Sequence, residues 1–123
     1  MQIKIENRCP HGVTLIDGEG RPRTYAAVRP AVRIETEAGP AVGLACGVPI
    51  HAPSRITGIT NLPAKRAGTV IVVSKLAAMV IANRLPDRDD VVYPGSAPDE
   101  DAVRSADPRR RVLGVRRLVR ATE

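Results

Sequence analysis

The sequence has 123 residues and a formal net charge of +6, with no Phe or Trp, two Tyr and two Cys. That length fits one domain spanning 1–123, with a modest core that Val, Ile, Leu and Ala must supply. So few aromatics exclude the base-stacking platforms of RRM-like and cold-shock proteins, and two cysteines are too few for a disulfide framework.

Gln2 to Glu6 alternates apolar and polar residues, the pattern of a half-buried first strand. Asn7 to Gly12 (NRCPHG) reads as a turn, because Pro10 fixes its own φ and biases Cys9 toward extended geometry. Val13 to Ile16 is a second strand. The run Asp17, Gly18, Glu19, Gly20 predicts a tight turn that returns Arg23 to Val28 beside it. Val32 to Glu37 alternates again, with Val32 and Ile34 on one face. Ala41 to Ile50 (AVGLACGVPI) is apolar but carries Gly43, Gly47 and Pro49, which predicts one bent or bulged strand. Arg55 to Thr60 is a further short strand.

Thr69 to Val73 is an unbroken β-branched run, as expected of a central strand covered on both faces. Ser74 stands at the N-cap position of a helix over Lys75 to Leu85, which Pro86 ends. Leu76, Met79 and Val80 share one face, and Ala77, Ala78, Ile81 and Ala82 leave the rest nearly as apolar, which predicts a helix covered around most of its circumference. Val91 to Tyr93 reads as a brief strand, Asp99 to Arg104 as a helical turn with an acidic start, and Val112 to Val119 as a last strand. The predicted architecture is α+β: a small antiparallel sheet or partly open barrel with one principal helix and a basic C-terminal strand segment at about 109–120.

No signal peptide opens the sequence and no apolar run approaches the roughly 18 residues of a membrane span, so a cytoplasmic protein without a membrane partner is expected. Arg supplies nearly all the positive charge, with Lys4, Lys65 and Lys75 the only lysines, a bias that GC-rich coding also produces.

Several positions together resemble a set of small uncharacterised proteins of actinobacteria and their phages. The matching residues are Asn7, Pro10 and His11 of an N-x-x-P-H element, Gly47 to Pro49, Leu62 and Pro63, Val73 and Ser74 of an I-V-S strand and helix segment, and Arg88 to Val91 followed by Pro94. The resemblance implies a phage-associated or prophage-type origin and no particular chemistry. The family carries a small hydroxyl residue where Cys9 stands here.

Four constellations are candidates for chemistry. Cys9, His11, Cys46 and His51 supply the inventory of a tetrahedral metal site, at a spacing unlike that of structural zinc; a buried apolar Cys and a turn His account for them as well. His11 or His51 with Ser74 and Asp87, Asp89 or Asp90 would supply a hydrolytic set, but no nucleophile elbow surrounds Ser74. Asn7, His11 and Ser74, or Arg84, Arg88 and Asp90, would surround a small anion. The two ends of a ten-residue helix lie roughly 15 Å apart, so Ser74 and Arg84 cannot hold one phosphate. Arg109, Arg110, Arg111, Arg116 and Arg117 concentrate positive charge suited to nucleic acid, or form a solvated edge.

The sequence thus reads as a non-enzymatic accessory domain without cofactor, binding a small anionic or nucleotide-like ligand or a protein partner at the Asn7 to His11 turn and Ser74. A structural homo-oligomer and Arg-mediated nucleic-acid binding are the alternatives.

Overall fold

The strand predicted to be central is the one on which the rest is laid. The computed structural model describes residues 3–95, 102–104 and 112–123. Its elements are β1 (Lys4–Asn7), β2 (Val13–Ile16), β3 (Pro22–Tyr25), β4 (Arg33–Glu37), β5 (Ala41–Ala45), β6 (Val48–His51), β7 (Arg55–Thr60), β8 (Thr69–Val72), helix α1 (Lys75–Arg84), β9 (Val91–Pro94), β10 (Ala102–Arg104), β11 (Val112–Val115) and β12 (Leu118–Arg120). They form a sheet in the order β1-β8-β9-β12, a second in the order β10-β11-β2-β3, and the pairs β4-β7 and β5-β6. The class is α+β with one helix, and no described sheet closes on itself.

The antiparallel expectation holds for β2-β3, β4-β7 and β5-β6. It does not hold under the helix, where β1 and β9 both run parallel to β8. For β9 the cause is connectivity: β8 reaches it through α1, and a helical crossover returns the chain in its original direction.

Alternation in β8 and β9 sends side chains to two cores. Ile71, Val73 and Val91 pack with Val32, Ala77, Ala78 and Ile81, and with Ile34, Ile59 and Tyr93 at the margin. Val72 and Val92 pack on the other face with Cys9 and Val13. Ile71, Val73 and Val91 have no exposed surface. Burying each such side chain contributes about 1.5–3 kcal/mol, which is how so small an aliphatic core holds.

Ser74 caps α1 as expected, its Oγ accepting from the Ala77 N–H at 3.2 Å. The predicted face is corrected. Ala77, Ala78, Val80 and Ile81 are buried, whereas Leu76 and Met79 are 68% and 60% exposed. Ala77, Ala78 and Ile81 recur at the three-and-four spacing, so the helix lies with its small residues against the sheet and is covered on one side only.

Residues 41–50 are not one bent strand but a hairpin, β5 and β6. Cys46 (φ 51°) and Gly47 (φ 79°) form its two-residue turn, the geometry that needs positive φ at both positions. A bulge between Ala41 and Gly43 is the part of the expectation that survives. Ala102–Arg104 is a strand and not helical, while Asp99, Glu100 and Asp101 lie outside the described residues. The predicted strand 112–119 is two strands in different sheets, with Arg116 and Arg117 at the bend between them. Among the described residues no helix is long and apolar enough to cross a membrane.

Candidate functional site

Because β1 and β8 are parallel, the Asn7 to His11 turn and Ser74 stand at the same edge of the main sheet, the C-terminal edge at which open parallel sheets bind ligands. Most of the polar atoms there are already engaged. Asn7 is 1% exposed, and its Nδ2 donates to the carbonyls of His11 and Tyr25, both at 2.9 Å. Its Oδ1 accepts from the Cys9 N–H at 2.9 Å. The side chain thus ties the turn to β3. His11 is exposed, with Nδ1 3.0 Å from the Gly12 carbonyl oxygen. The cavity it lines, about 300 Å³, is walled by Val13, Thr14, Pro94 and Val115 and does not include Ser74.

Arg84, Arg88 and Asp90 lie at the other end of α1 and β9. Arg84 Nη2 donates to the Ile56 carbonyl at 2.6 Å, fixing the helix end to β7. Arg88 chelates Asp90 and also donates to the Pro63 carbonyl at 2.8 Å. Lys65 pairs with Asp89 and holds its carboxyl below the ordinary range. Asp90 precedes the start of β9 and Ser74 follows the end of the parallel β8, so a hydroxyl and a carboxylate that a hydrolytic set needs together stand at opposite edges.

The four metal-ligand candidates are dispersed. Cys9 is buried with its Sγ 3.9 Å from the Val72 carbonyl oxygen, and burial pushes its thiol up to about 11. Cys46 is exposed at the β5-β6 turn, and His51 Nδ1 sits 2.7 Å from the Gly39 carbonyl oxygen. Among the described residues no group of three or more His, Cys, Asp or Glu is placed to hold a metal.

The groups that do converge are cationic. A groove of about 420 Å³ lies between the β2-β3 hairpin and the bend before β12, lined by Arg21, Arg23, Tyr25, Arg116 and Arg117, with Asp17 the one carboxylate in its wall, over a floor that includes Leu15 and Leu118. A neighbouring concavity of about 490 Å³ shares Arg23 and Tyr25 and adds Lys4. The two therefore form one basic track. Arg116 and Arg117, singled out from the sequence, reach it because β11 pairs with β2 at Val115 and Leu15. Arg109, Arg110 and Arg111 lie outside the described residues.

Charge in this track is only partly compensated. Arg21 is neutralised by Asp17 at 3.0 Å and Glu19 at 2.8 Å. The backbone N–H of Arg21, then that of Glu19, holds the Asp17 carboxyl below its ordinary range. Arg23 holds its guanidinium carbon 5.3 Å from the Tyr25 ring centre, over the ring and within the range of a cation–π contact. Among the described residues no carboxylate pairs with Lys4, Arg23 or Arg116. Lys4, Arg21, Arg23 and Tyr25 are site residues that reading the sequence alone passes over. The exposed strand Pro22–Tyr25 (PRTY), with no apolar face, is their one local signal.

In comparisons with family models, with curated proteins and with solved structures, nothing matches this chain.

Proposed function

We propose that the protein binds the phosphate backbone of nucleic acid along the track formed by Lys4, Arg21, Arg23, Tyr25, Arg116 and Arg117. The observation that carries this reading is the convergence of four arginines from two distant segments on one open groove. Guanidinium forks suit phosphate oxygens, and a chain of +6 charge gains further from counterion release. One tyrosine, with Arg23 already over its ring, offers little for reading bases, so recognition is of backbone charge and not of sequence. No step of chemistry is required of any residue in the groove.

The reading is favoured over a small anion at His11 and Ser74. There the Asn7 N–H groups are taken by the fold, and the cavity wall beside His11 is mostly apolar or backbone.

The test is fluorescence anisotropy with a labelled single-stranded oligonucleotide, and the duplex of the same sequence, over a series of salt concentrations. Log affinity should fall linearly with log salt, and Arg116→Ala with Arg23→Ala should make the slope on the single strand shallower by about 0.7 for each phosphate the variant no longer neutralises. Lys75→Ala, at an exposed position in the first turn of α1, serves as the control for net charge alone. A slope unchanged by the groove substitutions, or changed equally by the control, overturns the assignment.

A further inference from the structure

Residues 38–54 contain no Asp, Glu, Lys or Arg, in a chain of which 26% is charged. In the fold this stretch is the outer half of a long two-stranded ribbon. Its inner half, β4 and β7, packs Ile34 and Ile59 against the core beneath α1. At a waist, the Ala52 N–H donates to the Pro40 carbonyl at 2.8 Å, and Gly39 passes so close to Ala52 that a side chain there would collide with its backbone. Beyond the waist every residue of β5 and β6 is exposed.

The outer half carries what strands normally bury. Val42, Leu44 and Val48 are 65%, 73% and 63% exposed, and Ile50 is 46% exposed. A lone two-stranded ribbon is marginal in water, and an edge free of charge is the kind that other strands pair with. Neither β5 nor β6 has a second strand neighbour among the described residues.

The two edges are not equivalent. Ala45 and Val48 flank the two-residue turn and form a hydrogen-bonded pair, so Leu44 and Pro49, the next pair, do not bond to each other. Their backbone groups point outward. On β6 that position is proline, which has no N–H to offer, whereas on β5 Leu44 presents both N–H and C=O. The bulge at Ala41 to Gly43 confines the regular edge of β5 to a short segment centred on Leu44. Open backbone groups on that edge also make hydrocarbon a poor medium for it.

We propose that this end of the ribbon is a dimerisation arm, in which the edge of β5 pairs antiparallel with β5 of a second copy of this chain, Leu44 opposite Leu44. Like charge selects the contact. Two bodies of +6 repel, and the charge-free arm is where two copies meet without bringing like charges together. The pairing is isologous and leaves a continuous four-stranded ribbon with apolar residues on both faces. A short arm falls below the roughly 800 Å² per partner of a standard interface, so the dimer dissociates on dilution.

Native mass spectrometry and light scattering over a dilution series test this. The wild-type chain should pass from twice 13.2 kDa to 13.2 kDa on dilution, and Leu44→Asp should weaken the dimer by about tenfold or more. Leu44 is 73% exposed, so the substitution does not reach the core. Independently, the Leu44 amide of the wild-type chain should exchange with deuterium more slowly in concentrated than in dilute protein. A wild-type chain of 13.2 kDa at every concentration, a dimer indifferent to Leu44→Asp, or an arm that binds neutral lipid vesicles as a monomer overturns the proposal. So does an exchange rate at Leu44 that is independent of concentration.

Discussion

The Arg88 guanidinium grips the carboxylate of Asp90 with both ends of its fork, Nε to Oδ1 at 2.9 Å and Nη2 to Oδ2 at 3.0 Å, across a spacing of two residues. The side chains are only 17% and 5% exposed, and Nη2 is shared with the Pro63 carbonyl. The pair therefore pins the loop before β8 to the turn before β9, at the edge where the three parallel strands begin. Asp90→Ala leaves a mostly buried guanidinium without its counter-charge, and removal of one partner of such a pair costs about 3–5 kcal/mol. Chemical denaturation should show that loss. Arg88→Lys should rescue little, because an ammonium cannot span both oxygens. Full stability in Asp90→Ala would show that the loop is held by other contacts.

Asn7 plays the corresponding part at the opposite edge. Three hydrogen bonds, to His11, Tyr25 and Cys9, depend on one 1%-exposed amide. Asn7→Ala strands two carbonyls and one N–H and should cost about 3 kcal/mol, since each unsatisfied buried group carries a penalty of about 1–3 kcal/mol, partly relieved by entering water. The measurement is the urea midpoint at constant m-value. A loss below about 0.5 kcal/mol, the scale of an ordinary surface change, would mean that the turn is held without its amide. Because Tyr25 also lines the groove, Asn7→Ala should additionally weaken oligonucleotide binding where the fold survives.

How much of this is legible in the sequence divides by range. Ser74 as cap, the Asp17 turn and the burial of 71–73 within the predicted strand, whose first two residues are half-buried, are local or compositional, and each is read from neighbouring residues alone. The face of α1 is not, because Leu76 and Met79 are as apolar as the residues that are buried, and a helix with apolar groups all round gives no direction. The Cys46–Gly47 turn escapes a sequence reading because cysteine at positive φ is not a turn signal as Asn or Asp is. The groove depends on the pairing of Val115 with Leu15, a contact between distant parts of the chain that no periodicity encodes. Only then do Arg21 and Arg23 meet Arg116 and Arg117.

Glu6 should govern part of the acid sensitivity. It is 7% exposed and held by Arg8 Nε at 2.8 Å and Arg66 Nη2 at 2.9 Å. Its hydrogen bond with Arg8 is the main cause of a pKa below the ordinary 4.5, with Arg66 adding to it against the opposing effect of burial. A folded-state pKa lower than the unfolded one means that the native chain binds fewer protons, so stability rises with pH across that window. The contribution is fully present above the ordinary carboxylate range and is lost as pH falls through the lowered folded value. Melting temperatures measured from neutral pH down through the carboxylate range should fall for the wild-type chain. In Glu6→Gln they should start lower at neutral pH and fall less. Parallel curves for the two proteins would remove Glu6 from the acid response.

The two thiols should differ in reactivity by position and by ionisation. Cys46 is exposed at the turn of the arm, while Cys9 is 2% exposed beneath the Asn7 turn with a thiol pKa of about 11. At pH 8 a thiol of that pKa is roughly one-thousandth ionised, and the thiolate is the nucleophile. A disulfide reagent such as Ellman's should therefore titrate one thiol in the native protein and two in urea, and Cys46→Ser should abolish the native reaction. Two rapid equivalents in native buffer would mean that the turn carrying Cys9 opens at low free-energy cost, which would also contradict the stability assigned to Asn7. A single equivalent that slows as protein concentration rises would place Cys46 within reach of a second copy's β5, where pairing centred on Leu44 sets it opposite Val42.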